Sequence, residues 1–151
     1  MCCGTGVIGI LIASHCSKSV VGIDLCEAAI DDAKMNCLRN NVIADFRTGK
    51  VEDLLGDLLN SVPAGSSIQV ILDPPRCGVH RKLIRLIRAC LPISSVIFIA
   101  CALKMSMHNL IDLTKPDSIR AGGPAFKLVT CKAYDMFPQA IQSEVCMEFI
   151  R

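Results

Sequence analysis

Apolar and polar positions change period in short blocks along this chain. Ser19–Asp24 (SVVGID), Ile68–Leu72 (IQVIL) and Val96–Ala100 (VIFIA) are short, β-branched, nearly unbroken apolar runs. Runs of that length bounded by turn residues predict buried strands. Between them the spacing widens and predicts helices over Val7–Cys16, Glu27–Asn40, Val51–Leu59, Val79–Cys90 and Leu103–Leu113. In the second of these helices Ala28, Ala29, Ala33, Met35 and Leu38 are the small or apolar positions. Ala44–Thr48 predicts a short strand. Lys127–Tyr134 and Val145–Ile150 predict two final strands as an antiparallel pair. Cys2–Gly9 reads as a glycine-rich loop, and Thr114–Pro124 as a loop punctuated by Pro and Gly.

Strands alternating with helices imply an α/β domain with a mostly parallel sheet and right-handed crossovers. A length of 151 residues fits one domain. A glycine loop in such a sheet follows a strand, and no strand precedes Cys2. The expectation is a single domain over residues 1–151, truncated at its N-terminus so that the first strand is missing.

Composition narrows the class. At 52% apolar residues the chain builds a real core and is not a disordered segment. The net charge of +2 announces no polyanion partner, so any basic surface is local. Arg76, His80, Arg81, Lys82, Arg85 and Arg88 form the best cluster, with a solvated helix face as the plain alternative. The ten cysteines include no CxxC pair, which argues against zinc. Most are expected to be small core residues in a reducing, intracellular compartment, cytosol or nucleus. No apolar run reaches the ~20 residues needed to span a membrane.

Three segments carry candidate chemistry. Gly4-Thr5-Gly6-Val7-Ile8-Gly9 fits GxGxxG, with Asp24 at the end of the next strand. Glycines let backbone approach a ligand, and a carboxylate accepts bonds from ribose hydroxyls. The pattern suits NAD and S-adenosylmethionine alike, and a tight turn without ligand remains open. Asp73-Pro74-Pro75-Arg76 ends the IQVIL run as a stiff acidic turn, because two prolines fix φ and remove two donors. Cys101 ends the VIFIA run, and Glu144 follows Asp135-Met136-Phe137-Pro138-Gln139. A thiol and a carboxylate at strand ends stand where open α/β sheets carry their sites. Taken singly, Cys101 reads as a core cysteine, Glu144 as a surface carboxylate and Phe137 as a core residue or stacking surface.

As a set, Cys3-Gly4-Thr5-Gly6, Asp73-Pro74-Pro75-Arg76-Cys77-Gly78, Cys101 and Asp135-Met136-Phe137-Pro138-Gln139 up to Glu144 resemble the RNA (uracil-5-)-methyltransferases in order and approximate spacing. VVGIDLCEAAIDDAKMN and VEDLL are most similar to animal tRNA-modifying members. The resemblance implies a class I, Rossmann-like methyltransferase fold that uses S-adenosyl-L-methionine and acts on tRNA; the chain is expected to be a monomer, without metal or membrane. It implies that Gly4, Thr5, Gly6, Asp24 and Asp73 lie at the cofactor, with Lys50, Glu52 or Asp53 toward its adenine. It implies Cys101 as nucleophile on uracil carbon 6 and Glu144 as base at carbon 5. The family usually has Asn-Pro after the nucleophile and His two residues before the base. This chain has Ala102-Leu103 and Gln142 there. A weakened or inactive RNA-binding relative is therefore the alternative expectation.

Overall fold

A computed structural model describes residues 1–16, 18–117, 122–136 and 138–151. The chain divides into two compact units, Met1–Leu59 and Asn60–Arg151.

The first unit contains α1 (Val7–His15), β1 (Val21–Asp24), α2 (Glu27–Asn40), β2 (Asp45–Thr48) and most of α3 (Val51–Ser61). β1 and β2 pair in parallel, from Val21 opposite Asp45 to Asp24 opposite Thr48. Ile30, Ala33 and Cys37 of α2 recur at helical spacing and pack with Ile10 and Phe46 into one core. Of the α2 positions read from the sequence only Ala33 belongs to that core, while Met35 and Leu38 face solvent. Phe46 explains two glycines. A Cβ on Gly22 would lie 2.4 Å from the Phe46 ring, and one on Gly6 2.8 Å from it. Gly6 also has φ +83°, a conformation that costs a side-chain-bearing residue energy.

The second unit contains β3 (Ile68–Leu72), α4 (Arg81–Ala89), β4 (Ile93–Ala100), α5 (Leu103–Thr114), β5 (Lys127–Tyr134) and β6 (Glu144–Ile150). Its sheet runs β3-β4-β6-β5. β3 and β4 are parallel, with Leu72 opposite Phe98. β6 runs antiparallel to both neighbours, with Val145 opposite Ala100 on one side and Ala133 on the other. The expected final antiparallel pair is present. The sheet is mixed rather than uniformly parallel, because β6 returns along β4. Leu72, Val96, Phe98, Phe126 and Phe149 are all but fully buried and make its core. The sequence-predicted helix from Val79 starts later, at Arg81, because His80 is its N-cap and accepts from the Lys82 N–H at 3.2 Å. The loop predicted over Thr114–Pro124 lies partly outside the described residues.

Two expectations about side chains are corrected. Arg88 does not join the basic surface: it is fully buried, and its guanidinium donates to the carbonyls of Gly123 and Asp112. Arg81 is paired with Asp112 at 3.0 Å, which leaves Arg76, His80, Lys82 and Arg85 as the exposed members without that engagement. Among the cysteines only Cys37 and Cys90 are buried, whereas Cys16, Cys26, Cys77 and Cys131 are exposed. Most therefore are not core residues. Among the described residues no helix is long and apolar enough to cross a membrane.

Candidate active site

In the first unit the glycine loop is tied to the end of β1. The Gly4 N–H donates to one Asp24 carboxylate oxygen at 2.8 Å, and the Cys26 N–H to the other at 3.0 Å. Each oxygen keeps acceptor capacity for a further hydroxyl or amine. Gly4 has φ +51°, and a Cβ there would meet nothing within 4 Å, so the backbone faces open space. Thr5 is exposed, and its carbonyl accepts from the Asn36 amide at 3.1 Å. Gly6 is buried as the N-cap of α1, and the Phe46 ring supplies its reason for being glycine. The Lys50 carbonyl accepts from the Asp53 and Leu54 N–H groups and so opens α3, with the Lys50 side chain exposed, Glu52 half-buried and Asp53 exposed.

In the second unit three predicted residues gather at one end of the sheet. Asp73 directly follows β3, Cys101 directly follows β4, and Glu144 opens β6. β4 and β6 pair with Ala100 opposite Val145. The same antiparallel register continued by one residue sets Cys101 beside Glu144. Cys101 is half-buried and, with Arg76, Ala140 and Gln142, lines a pocket of about 240 Å³. A thiol on a pocket wall can reach a ligand, as the buried thiols Cys37 and Cys90 cannot. Asp135 and Met136 are exposed, and Phe137 lies outside the described residues.

The electrostatics single out Glu144. Its Oε1 is buried and has no hydrogen-bond partner among the described residues. Burial, and then the charge of Asp73, push its carboxyl above the usual glutamate range. Loss of hydration likewise raises the Asp73 carboxyl. A carboxylate with a raised pKa and an unsatisfied oxygen is poised to take a proton. Among the described residues no group of His, Cys, Asp and Glu could hold a metal ion.

The start of α5 shows what the unusual Ala102-Leu103 pair does. Ala102 is the N-cap, with φ −140° and no side-chain capping bond. Asn is among the best N-cap residues and Pro is favoured at the next position. Ala102→Asn is therefore expected to raise stability by about 1 kcal/mol. A urea titration in which the midpoint does not rise would show that Asn leaves this end uncapped. Sequence reasoning missed Ala140 on the pocket wall and Asn109, a fully buried amide in α5. The sequence signal for Asn109 is slight: it stands beside Leu110 on a helical face that also carries Ser106 and Leu113.

Residues 1–90 match the methyltransferase domain family. Over its whole length the chain is 38% identical to the mouse tRNA (uracil-5-)-methyltransferase homolog A and 36% identical to the human one. It is 37% identical to the human homolog B. It spans about a quarter of homolog A (24%) and 31% of homolog B. Among solved structures, the Pyrococcus abyssi tRNA (uracil-54, C5)-methyltransferase in complex with S-adenosyl-L-homocysteine superimposes with a TM-score of 0.75. That match is at 24% identity and covers 98% of this chain and 32% of that one. A Streptococcus thermophilus rRNA methylase superimposes with a TM-score of 0.68 at 14% identity, over 99% and 82% of the two chains. These likenesses show the class I α/β fold. With the family match over residues 1–90, the chain belongs to the methyltransferase domain family.

Proposed function

We propose that the chain is a methyltransferase catalytic domain that methylates carbon 5 of a uridine in tRNA, in the T loop, through a covalent adduct with Cys101. The β4–β6 register carries this reading, because it brings a pocket-lining thiol and a raised-pKa carboxylate to adjoining strand ends. The tRNA (uracil-5-)-methyltransferase homologs A and B, matched along the whole chain, support the substrate.

The donor is S-adenosyl-L-methionine. The residues of the first unit fit it: open space at Gly4 admits a ligand close to backbone, and Asp24 retains acceptor capacity for ribose hydroxyls. Gly4, Thr5 and Asp24 would hold it, with Gly6 shaping the loop. When bound, it supplies an electrophilic methyl group.

The protein's residues then account for the remaining chemistry. Uracil carbon 5 is a weak nucleophile, and the base must leave its stack to be reached. The Cys101 thiolate adds to carbon 6, and the displaced π electrons move to oxygen 4 as an enolate, which makes carbon 5 nucleophilic. After carbon 5 is methylated, Glu144 removes its remaining proton. The electron pair re-forms the carbon 5–carbon 6 double bond and expels Cys101 as thiolate.

RNA carrying 5-fluorouridine tests this directly, since fluorine at carbon 5 cannot leave as a proton. With S-adenosylmethionine present, a denaturation-resistant adduct is expected, and Cys101→Ala is expected to form none. A folded chain that binds the RNA but forms no adduct would point instead to an inactive RNA-binding relative, consistent with the uncapped start of α5.

A further inference from the structure

Asn109 is fully buried two turns into α5, and both faces of its amide go to one residue. Its Oδ1 accepts from the Val79 N–H at 2.8 Å, and its Nδ2 donates to the Val79 carbonyl at 2.8 Å. An asparagine used in this way replaces a strand neighbour for a piece of loop backbone. Gly78 lies against the same amide: a Cβ there would fall 2.1 Å from Oδ1, and its φ is +77°. No other residue could stand at Gly78 without displacing Asn109 or straining the backbone.

This clamp has a position that matters. The stiff turn begins at Asp73, where β3 ends, closes with the Gly78 N–H donating to the Pro75 carbonyl at 2.8 Å, and is pinned to α5 at Val79. Arg76 lies between the two anchors. Cys101 lies two residues before the same helix. The first turn of α5 is itself held by the buried Ser106 hydroxyl, which donates to the Leu103 carbonyl at 3.3 Å. Arg76 and Cys101 line one pocket, and α5 is the element common to both walls.

We propose that Asn109 is a positioning residue for the reaction: by clamping Val79 it holds the Arg76 wall of the pocket in register with Cys101. The proposal rests on Cys101 being the nucleophile. A site whose geometry must hold within about 0.5 Å depends on such supports. Asn109 touches neither substrate nor reacting atoms. Its loss is therefore expected to slow the covalent step more than it weakens RNA binding.

The test compares the parent chain with Asn109→Asp and Asn109→Leu. Asp keeps the bond from the Val79 N–H and turns the donor into a second acceptor, whereas Leu removes both bonds. Adduct formation with 5-fluorouridine RNA is measured at saturating RNA, alongside RNA affinity and thermal melting. Expected are rates ordered parent, Asp, Leu, with Leu slower by about tenfold or more, equivalent to about 1.4 kcal/mol of barrier. RNA affinity is expected to stay within about threefold, a change worth less than half that energy. Variants that are folded and react at the parental rate overturn the proposal. So does a loss of rate matched by an equal loss of RNA binding. Asn109→Asp, close in shape to the parent residue, carries the test where Asn109→Leu does not fold. A parent that forms no Cys101 adduct overturns the underlying reading and this proposal with it, and it does so before any variant is compared.

Discussion

Glu144→Gln is expected to leave RNA binding near parental and to lower methylation by about 10²–10⁴-fold, the usual contribution of a positioned general base. Its signature is more specific than a loss of rate. In the proposed mechanism, addition of Cys101 and methylation of carbon 5 precede the proton removal assigned to Glu144. The variant is therefore expected to accumulate a covalent complex with ordinary, unfluorinated RNA, visible as a shifted band under denaturing conditions. Turnover of unmodified RNA at the parental rate would remove Glu144 from the mechanism. The pH profile follows from the same residue. A base works only when ionised, and burial with the Asp73 charge raises the pKa of Glu144 above the ordinary 4.5. Parental activity is expected to fall as pH decreases through that raised value, at higher pH than an ordinary glutamate would give.

Stability has the opposite sign. The folded state prefers protonated Glu144, so the favourable contribution is present below the unfolded pKa and is lost as pH rises through the raised folded value. Once ionised, Glu144 carries a buried, unpartnered carboxylate oxygen that costs stability. Glu144→Gln is expected to gain in melting temperature over the parent as pH increases from about 4.5, the ordinary glutamate value. A gain in stability with a loss of activity is the mark of a residue kept for chemistry.

Arg88→Leu is expected to cost about 3 kcal/mol, since hydrogen bonds to a charged group contribute roughly 1.5–3 kcal/mol each and orphaned buried acceptors cost about 1–3. The Arg88 Nε donates to the Gly123 carbonyl at 3.0 Å and a terminal nitrogen to the Asp112 carbonyl at 2.8 Å. One side chain thus joins α4, the last turn of α5 and the segment leading into β5. Leu recovers apolar contact but satisfies neither carbonyl. The backbone carbonyl of Arg88 accepts from Arg151 at 2.6 Å, and the Arg151 guanidinium stacks 4.5 Å from the Phe126 centroid. A displaced Arg88 therefore disturbs the end of β6 as well. Arg88→Lys is expected to rescue little, because an ammonium cannot reproduce the planar fork that reaches both carbonyls. A loss of about 3 kcal/mol is a large share of the ~5–15 kcal/mol of a typical domain. A urea midpoint for Arg88→Leu equal to the parental one would show that water replaces the guanidinium at no cost.

Much of the local structure was legible before any coordinates. IQVIL lies where its apolar run predicted, VIFIA is the end of a strand that begins earlier, at Ile93, and the two final strands keep their predicted places to within about one residue, since short β-branched stretches leave few alternatives. Asp73 and Cys101 stand at strand ends for the same reason. The place of Asp24 at the end of β1 was legible too, whereas the bond it accepts from the Gly4 N–H was not.

What a one-dimensional pattern carries poorly is the choice among partners distant in sequence. VCMEFI alternates inward Val145, Met147 and Phe149 with outward residues, a period that satisfies any neighbouring strand. Only the folded sheet puts β6 between β4 and β5, and only that order makes Cys101 and Glu144 neighbours. The fate of Arg88 was hidden too. A charged residue four positions after Ile84 reads as solvated, and the fold instead gathers carbonyls from two other segments around it. Asn109 reads as a stray polar residue until the turn at Gly78 closes on it. By itself the sequence determined most of the elements, because these depend on local periodicity and turn chemistry, and its motifs carried a resemblance to methyltransferases. The tertiary structure decided which strand lies beside which, and which polar side chains are spent on buried backbone, because those choices depend on contacts among segments far apart in the chain.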